Sequence, residues 1–359
     1  MGNERDNDAM GAQQPGDFEA ATALDATPGW RLVRADDPGL RHVGRFDTTQ
    51  PGPLLLSWSG SEIRARFSGA RLALRLEALQ AASYYTVEID GRRHVLALHV
   101  TGVHDWRLRE PLPPGTHELR IVKRTEGSKA EARWHGLLLD AGAQLLEPPP
   151  ERALRLEFYG DSITAGACNG DFREDQYDDL STHDGTHAYG AVVAERLGAD
   201  YVGIAVSGTG ITRTWEDVLM PEVWDRVSPH ADAPVAPVGL RLPDVVLVNL
   251  GQNDHGFPAS LGEPFAADFA PRYLAFVRGL RRRYPRARLV LMIGGMSAWK
   301  EQPALEHALA ETARQLRAEG DRWVWTYRFE AIAPAHPRID VHALMADELE
   351  RFLRDEVLP

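Results

Sequence analysis

Between residues 63 and 123 apolar side chains recur at every second position. Ile63, Ala65 and Phe67 alternate with Arg64 and Arg66, and Leu72, Leu74 and Leu76 alternate with Arg71, Ala73 and Arg75. A period of two places successive side chains on opposite faces of an extended strand, one toward a core and one toward water. Tyr85, Val87 and Ile89 lead into Asp90-Gly91, a dipeptide suited to a tight hairpin turn, and residues 95–100 return. Pro113-Pro114-Gly115 makes another turn before Leu119, Ile121 and Lys123. Short strands punctuated this often predict an all-β sandwich or jelly roll over residues 29–146. Residues 1–28 are poor in apolar side chains and rich in Gly, Asp and Gln, which predicts a disordered tail.

Glu147-Pro148-Pro149-Pro150 is stiff and reads as a linker, 147–150. Beyond it the rhythm changes. Leu154, Leu156 and Phe158 alternate with Arg155 and Glu157, then strands are expected at 201–206, 245–250, 289–293 and 324–327. The run 245–250 is apolar without a break, as in a strand buried on both faces of a parallel sheet. Helical spacing falls between and after these strands, at about 188–197, 271–283, 304–319 and 342–356. Strand–helix alternation of this kind predicts an α/β domain over 151–359, a flavodoxin-like, doubly wound parallel sheet.

Charge and composition narrow the partners. Acidic residues number 52 against 40 basic ones, for a formal net charge of −12, which argues against a nucleic-acid backbone. No apolar run approaches the ~20 residues of a membrane span. Cys168 is the only cysteine, so no intramolecular disulfide forms. The opening residues lack the basic segment and apolar core of a signal peptide, so the chain as written reads as cytoplasmic. A chain whose signal had been removed would read the same way. The compartment stays open, as does the oligomeric state.

Four blocks at strand ends carry candidate chemistry. Gly160-Asp161-Ser162 follows the first strand of the second domain and puts a hydroxyl at the carboxyl edge of the sheet. Ser207-Gly208 follows the next strand, where glycine lets a backbone N–H come close to a ligand. Gly251-Gln252-Asn253-Asp254 follows the unbroken apolar strand and offers a side-chain amide. His336-Pro337 lies in the loop before the last helix. A serine hydroxyl is a weak nucleophile alone and needs a base and donors for an oxyanion; the four blocks contain all three.

In this order and spacing the blocks resemble the SGNH (GDSL) hydrolases over about residues 151–359. The β-domain ahead of them resembles the two-domain carbohydrate esterase family 2 arrangement. The resemblance implies a serine esterase that removes short acyl groups, most readily acetyl, from a carbohydrate through an acyl-enzyme. A lipid or aryl esterase, or a non-catalytic carbohydrate-binding protein, stand as alternatives. It implies Ser162 as nucleophile, His336 as base, and an oxyanion hole from the N–H groups of Ser162 and Gly208 with the amide of Asn253. Asp161 and Asp254 take supporting roles. The family commonly has an aspartate three residues before the histidine, and Ala333 stands there. A carbonyl of 333–335 or the carboxylate of Glu330 is then left to orient the imidazole.

Other residues have plainer readings. His342 follows Asp340 by two positions but falls inside the last predicted helix, where packing or capping is expected. The acidic stretch 171–184, with Asp171, Glu174, Asp175, Asp178 and Asp179, lacks calcium-loop spacing and reads as a solvated surface loop over the site. Trp58, Trp134 and Trp215 are expected to pack rather than to stack on sugars. With no HExxH, CxxC or P-loop in the sequence, no metal or nucleotide cofactor is expected.

Overall fold

The computed structural model describes residues 16–238, 241–296 and 302–358. The first part is a sandwich of two six-stranded antiparallel sheets. The alternation read from the sequence sets its register: Ile63, Ala65 and Phe67 lie opposite Ile121, Leu119 and His117. Phe67, Leu74, Tyr85 and Trp134 fill the core between the sheets. The hairpin joins Ser83–Ile89 to Arg92–Leu98, with Asp90 and Gly91 both at positive φ. That backbone matches the twist of the flanking strands.

One expectation fails here. Within the segment read as a tail, Phe18–Ala21 is an edge strand paired antiparallel with Gly102–Leu108. Its Phe18 is buried, and the Leu24 N–H donates to Asp105 Oδ2 at 2.7 Å. An edge strand is held mainly by backbone pairing on one side, so a single apolar anchor suffices and the composition looks disordered. Residues 1–15 lie outside the described residues.

The second part is a five-stranded parallel sheet. In space its strands run Ala199–Ala205, Leu154–Gly160, Val245–Asn249, Arg288–Ile293, Val324–Arg328. Numbered along the chain this is the 2-1-3-4-5 order of flavodoxin-like folds. Tyr189–Arg196 and Ile339–Phe352 cover one face against Phe158, Leu247 and Met292. Phe269–Arg283 and Pro303–Ala318 cover the other against Val248, Leu250 and Leu291. A further helix, Gln252–Ser260, starts directly after the third of these strands in the chain and was not expected from the sequence. The first and third chain-order strands end side by side, with Gly160 beside Asn249. This is the switch point, where such sheets open a crevice.

The two parts share buried contacts. The alternation of 154–158 places Glu157 on a polar side, yet it is buried. Arg45 of the β-sandwich donates to Glu157 Oε1 at 2.8 Å, and the hydroxyls of Tyr159 and Tyr284 donate to the same oxygen. Burial would lift the carboxyl, but the guanidinium and the hydroxyls hold it below its ordinary value. Trp58 packs into the core of the α/β part, and its indole N–H donates to the Arg226 carbonyl at 3.2 Å. Arg64 and Asp200 pair across the same boundary at 2.9 Å.

Candidate active site

Gly160 ends its strand in contact with Thr164, whose Oγ1 would lie 2.0 Å from an added Cβ. The chain then turns into the short helix Ser162–Ala165. Asp161 caps it, its Oδ1 accepting the Ile163 N–H at 3.1 Å. Burial, only partly offset by that N–H, pushes the Asp161 carboxyl up to about 7. Its place in the turn accords with a structural role. Ser162 is left at the helix start with its hydroxyl facing a cavity of about 450 Å³.

The imidazole of His336 stands over that hydroxyl. Ser162 Oγ and His336 Nε2 are 2.7 Å apart. On the other side His336 Nδ1 lies 2.7 Å from Asp175 Oδ2. A carboxylate only accepts, so Nδ1 carries the proton and Nε2 is free to accept from the serine. Arg338 Nη1 donates to the second oxygen of Asp175 at 2.7 Å, and also to the carbonyls of Cys168 and His336. Its Nη2 donates to the Arg173 carbonyl at 2.7 Å. One guanidinium thus ties the acidic loop to the histidine loop. Burial raises the Asp175 carboxyl, but hydrogen bonds from His336 and Arg338 outweigh it and hold the group well below the usual range. The Tyr177 hydroxyl donates to Asp175 Oδ2 at 3.2 Å, and its ring stands edge-on to the imidazole.

The orienting group therefore differs from both expected ones. Glu330 is exposed, and its backbone N–H is taken by Glu348 at 2.9 Å. Ala333 is buried, with its N–H on the Gly295 carbonyl. The carboxylate comes instead from the acidic stretch read as a solvated loop, 161 positions from the histidine. No periodic pattern or strand end marks Asp175 in the sequence.

The remaining blocks line the same cavity. Gly208 is at φ +76, and a Cβ there would press on Trp215 and Glu216. The preceding Ser207 N–H donates to Glu126 Oε2 at 2.7 Å, so a loop of the β-sandwich fixes the peptide next to Gly208. Asn253 Nδ2 donates to the Thr209 carbonyl at 2.8 Å and lies 3.4 Å from Asp161 Oδ2. Asp254 is buried and accepts the backbone N–H groups of Ile211, Thr212 and Arg213. It anchors the loop after Ser207-Gly208 and does not face the cavity.

His342 is elsewhere. It is buried in Ile339–Phe352, accepts the Tyr189 N–H on Nδ1 at 3.2 Å and stacks on the Tyr189 ring. Asp340 is exposed at the start of that helix. Trp58 and Trp134 are buried, whereas Trp215 is 51% exposed at the cavity rim, edge-on to Phe257. Lys129 and Glu216 form an ion pair at 2.9 Å along that rim.

Comparison with known proteins places this architecture. Residues 42–149 match the carbohydrate esterase 2 N-terminal family, and residues 158–355 match the GDSL-like lipase/acylhydrolase family. The cellulase/esterase CelE of Acetivibrio thermocellus is 28% identical over 90% of this chain; the chain spans about 40% of that protein's length. An acetylxylan esterase / glucomannan deacetylase of Cellvibrio japonicus is 26% identical over 90% of both chains. A family two carbohydrate esterase from Clostridium thermocellum, solved in complex with cellohexaose, superposes with a TM-score of 0.80 at 25% identity, covering 89% of this chain and 99% of that one. The chain belongs to the GDSL-like lipase/acylhydrolase family, in the two-domain form that carries a carbohydrate esterase 2 N-terminal domain ahead of the hydrolase.

Proposed function

We propose that the protein is a serine esterase that removes short acyl groups, acetyl foremost, from a carbohydrate. The observation that carries this reading is the hydrogen-bonded chain Ser162–His336–Asp175 opening into the cavity. Ser162 Oγ attacks the ester carbonyl as His336 Nε2 takes its proton. Asp175 keeps the imidazole in the right tautomer and stabilises the imidazolium. The N–H groups of Ser162 and Gly208 and the amide of Asn253 receive the oxyanion. One Asn253 hydrogen is committed to Thr209; the other is held only loosely by Asp161 and is available to that charge. The alcohol leaves with the proton from His336, and water, activated by the same imidazole, hydrolyses the acyl-enzyme.

The carbohydrate half of the reading draws on the names of the relatives and on the half-exposed Trp215 ring at the rim, a flat apolar surface of the kind a sugar face packs on. Acetate release from acetylated xylan and glucomannan tests it, together with p-nitrophenyl acetate, butyrate and octanoate. Acetate should be released, and kcat/KM should fall from acetyl to octanoyl. Highest kcat/KM on octanoate with no acetate from the glycans would move the protein to a lipid esterase. Failure of a fluorophosphonate to label Ser162 would remove the esterase reading altogether.

A further inference from the structure

Behind the imidazole, on the side away from the serine, soft and hard donors converge. One ligand atom each of Cys168, Asp175 and His336 lies within 4.8 Å of the other two. Cys168 Sγ is also 3.6 Å from His183 Nε2. Asp171, beside the thiol, is buried, and its Oδ1 has no hydrogen-bond partner among the described residues. Cys168 is held at φ +56, a backbone conformation that few residues other than glycine adopt readily. The thiol is thus fixed in the turn that follows the nucleophile helix.

From this geometry we infer that Cys168, His336, Asp175 and His183 form a binding site for a thiophilic divalent cation, Zn²⁺ or Cd²⁺, and that occupancy switches the esterase off. Thiolate, two imidazoles and a carboxylate are the donor set that a tetrahedral zinc ion takes. Coordination displaces the thiol proton and moves the Nδ1 proton of His336 to Nε2, so one proton leaves as one cation enters. The two anionic ligands, thiolate and carboxylate, balance its charge. Asp171 supplies an unsatisfied oxygen at the edge of the site, and Arg338 holds the other oxygen of Asp175.

The consequence for catalysis follows from which nitrogen is used. The metal takes Nδ1, the atom that Asp175 otherwise orients. Nε2 still faces Ser162, but it then carries the ring proton and has no lone pair to take another from the serine. The carboxylate, shared with the metal, no longer stabilises an imidazolium. The inhibitory half of the inference rests on the proposed acyl-transfer mechanism, whereas the binding half does not.

Cd²⁺ alone, titrated into the purified full chain, tests the binding half. A thiolate-to-cadmium charge-transfer band should appear in the wild type and equally in Ser162→Ala, and should be absent in Cys168→Ser. Zn²⁺ should compete with that band and should inhibit hydrolysis of p-nitrophenyl acetate, reversibly by chelator. In Cys168→Ser, checked for folding by circular dichroism, the inhibitory Zn²⁺ concentration should rise by at least the ~10–100-fold that loss of even an outer partner costs a metal site. His183→Gln should weaken the cadmium affinity in the same direction. No band in wild type and Ser162→Ala overturns the site; equal Zn²⁺ inhibition of wild type and Cys168→Ser overturns the switch. Should the protein prove inactive on every ester, the band still decides whether the site binds metal.

Discussion

The carboxyl edge of the parallel sheet and the loops that close over it are built by different means. At the edge, Ser162, Gly208 and Asn253 sit two to four residues beyond strands whose positions are fixed by backbone pairing and two buried faces. Over it, Asp175, Tyr177 and Glu126 come from long connections, and side-chain links hold them: Arg338 to Asp175, Tyr177 to Asp175, Glu126 to the Ser207 N–H. The edge supplies the atoms that would touch substrate. The rim supplies orientation. Replacing a residue of the first kind should remove an atom of the reaction, and replacing one of the second should leave that atom present but no longer held in place.

That contrast can be broken from its strong end downward. Ser162→Ala should lower kcat on p-nitrophenyl acetate by roughly 10⁶, the scale of losing a serine nucleophile, with an unchanged circular dichroism spectrum. Activity near wild type would end the edge's claim to chemistry. Asp175→Asn should drop kcat by about 10⁴, as when an orienting aspartate is neutralised, with little change in KM. Glu330→Gln and Asp340→Asn should stay within several-fold of wild type. A large loss in either, with Asp175→Asn mild, would return the orienting role to the histidine's own loop. Asn253→Ala should cost on the order of 10²–10³ in kcat, the usual loss for one oxyanion donor; an effect confined to KM would make it a binding group only.

The smallest effect concerns a histidine of neither region. Burial, with some repulsion from His336 and His187, pushes His342 down to about 3. Between that value and the unfolded pKa of about 6.5 the unfolded chain binds a proton that the folded chain does not. Stability therefore rises with pH across this window and is lost as pH falls below about 6.5. From pH 7.5 to 4.5 this one group should remove about 3 kcal/mol of unfolding free energy. His342→Gln should flatten that part of the slope in urea titrations while leaving kcat unchanged. Equal slopes in the two proteins would show that His342 is not the group responsible.

The same division separates the residues that the sequence makes legible from those it hides. The unbroken apolar run from Val245 to Leu250 reads as a strand with both faces covered, and the serine after the neighbouring strand is then expected at the sheet's edge. Periodicity and strand ends make Ser162, Gly208 and Asn253 visible. Asp175 has no such signal, because its position depends on a guanidinium contributed from the far end of the chain. Ala333 directed attention to the wrong loop. Glu157 misled for a related reason: local alternation gives it a water-facing side, and only the Arg45 of another domain turns that side into an interior. Phe18–Ala21 was invisible because edge pairing makes little demand on composition.

The contacts of Arg45, Trp58 and Glu126 bear on how this protein can be taken apart or recombined. The proline run at 148–150 looks like a place to cut, yet the seam in the chain is not a seam in the interior. A hydrolase half expressed alone would keep Glu157 without its guanidinium, lose the indole that completes its core, and leave the Ser207 N–H without an acceptor. The β-sandwich is not cargo carried beside an enzyme. Swapping it for another fold, or shuffling halves between relatives, should fail unless the strand bearing Glu157 and the sandwich loops that meet it travel together. The unit of inheritance is the pair.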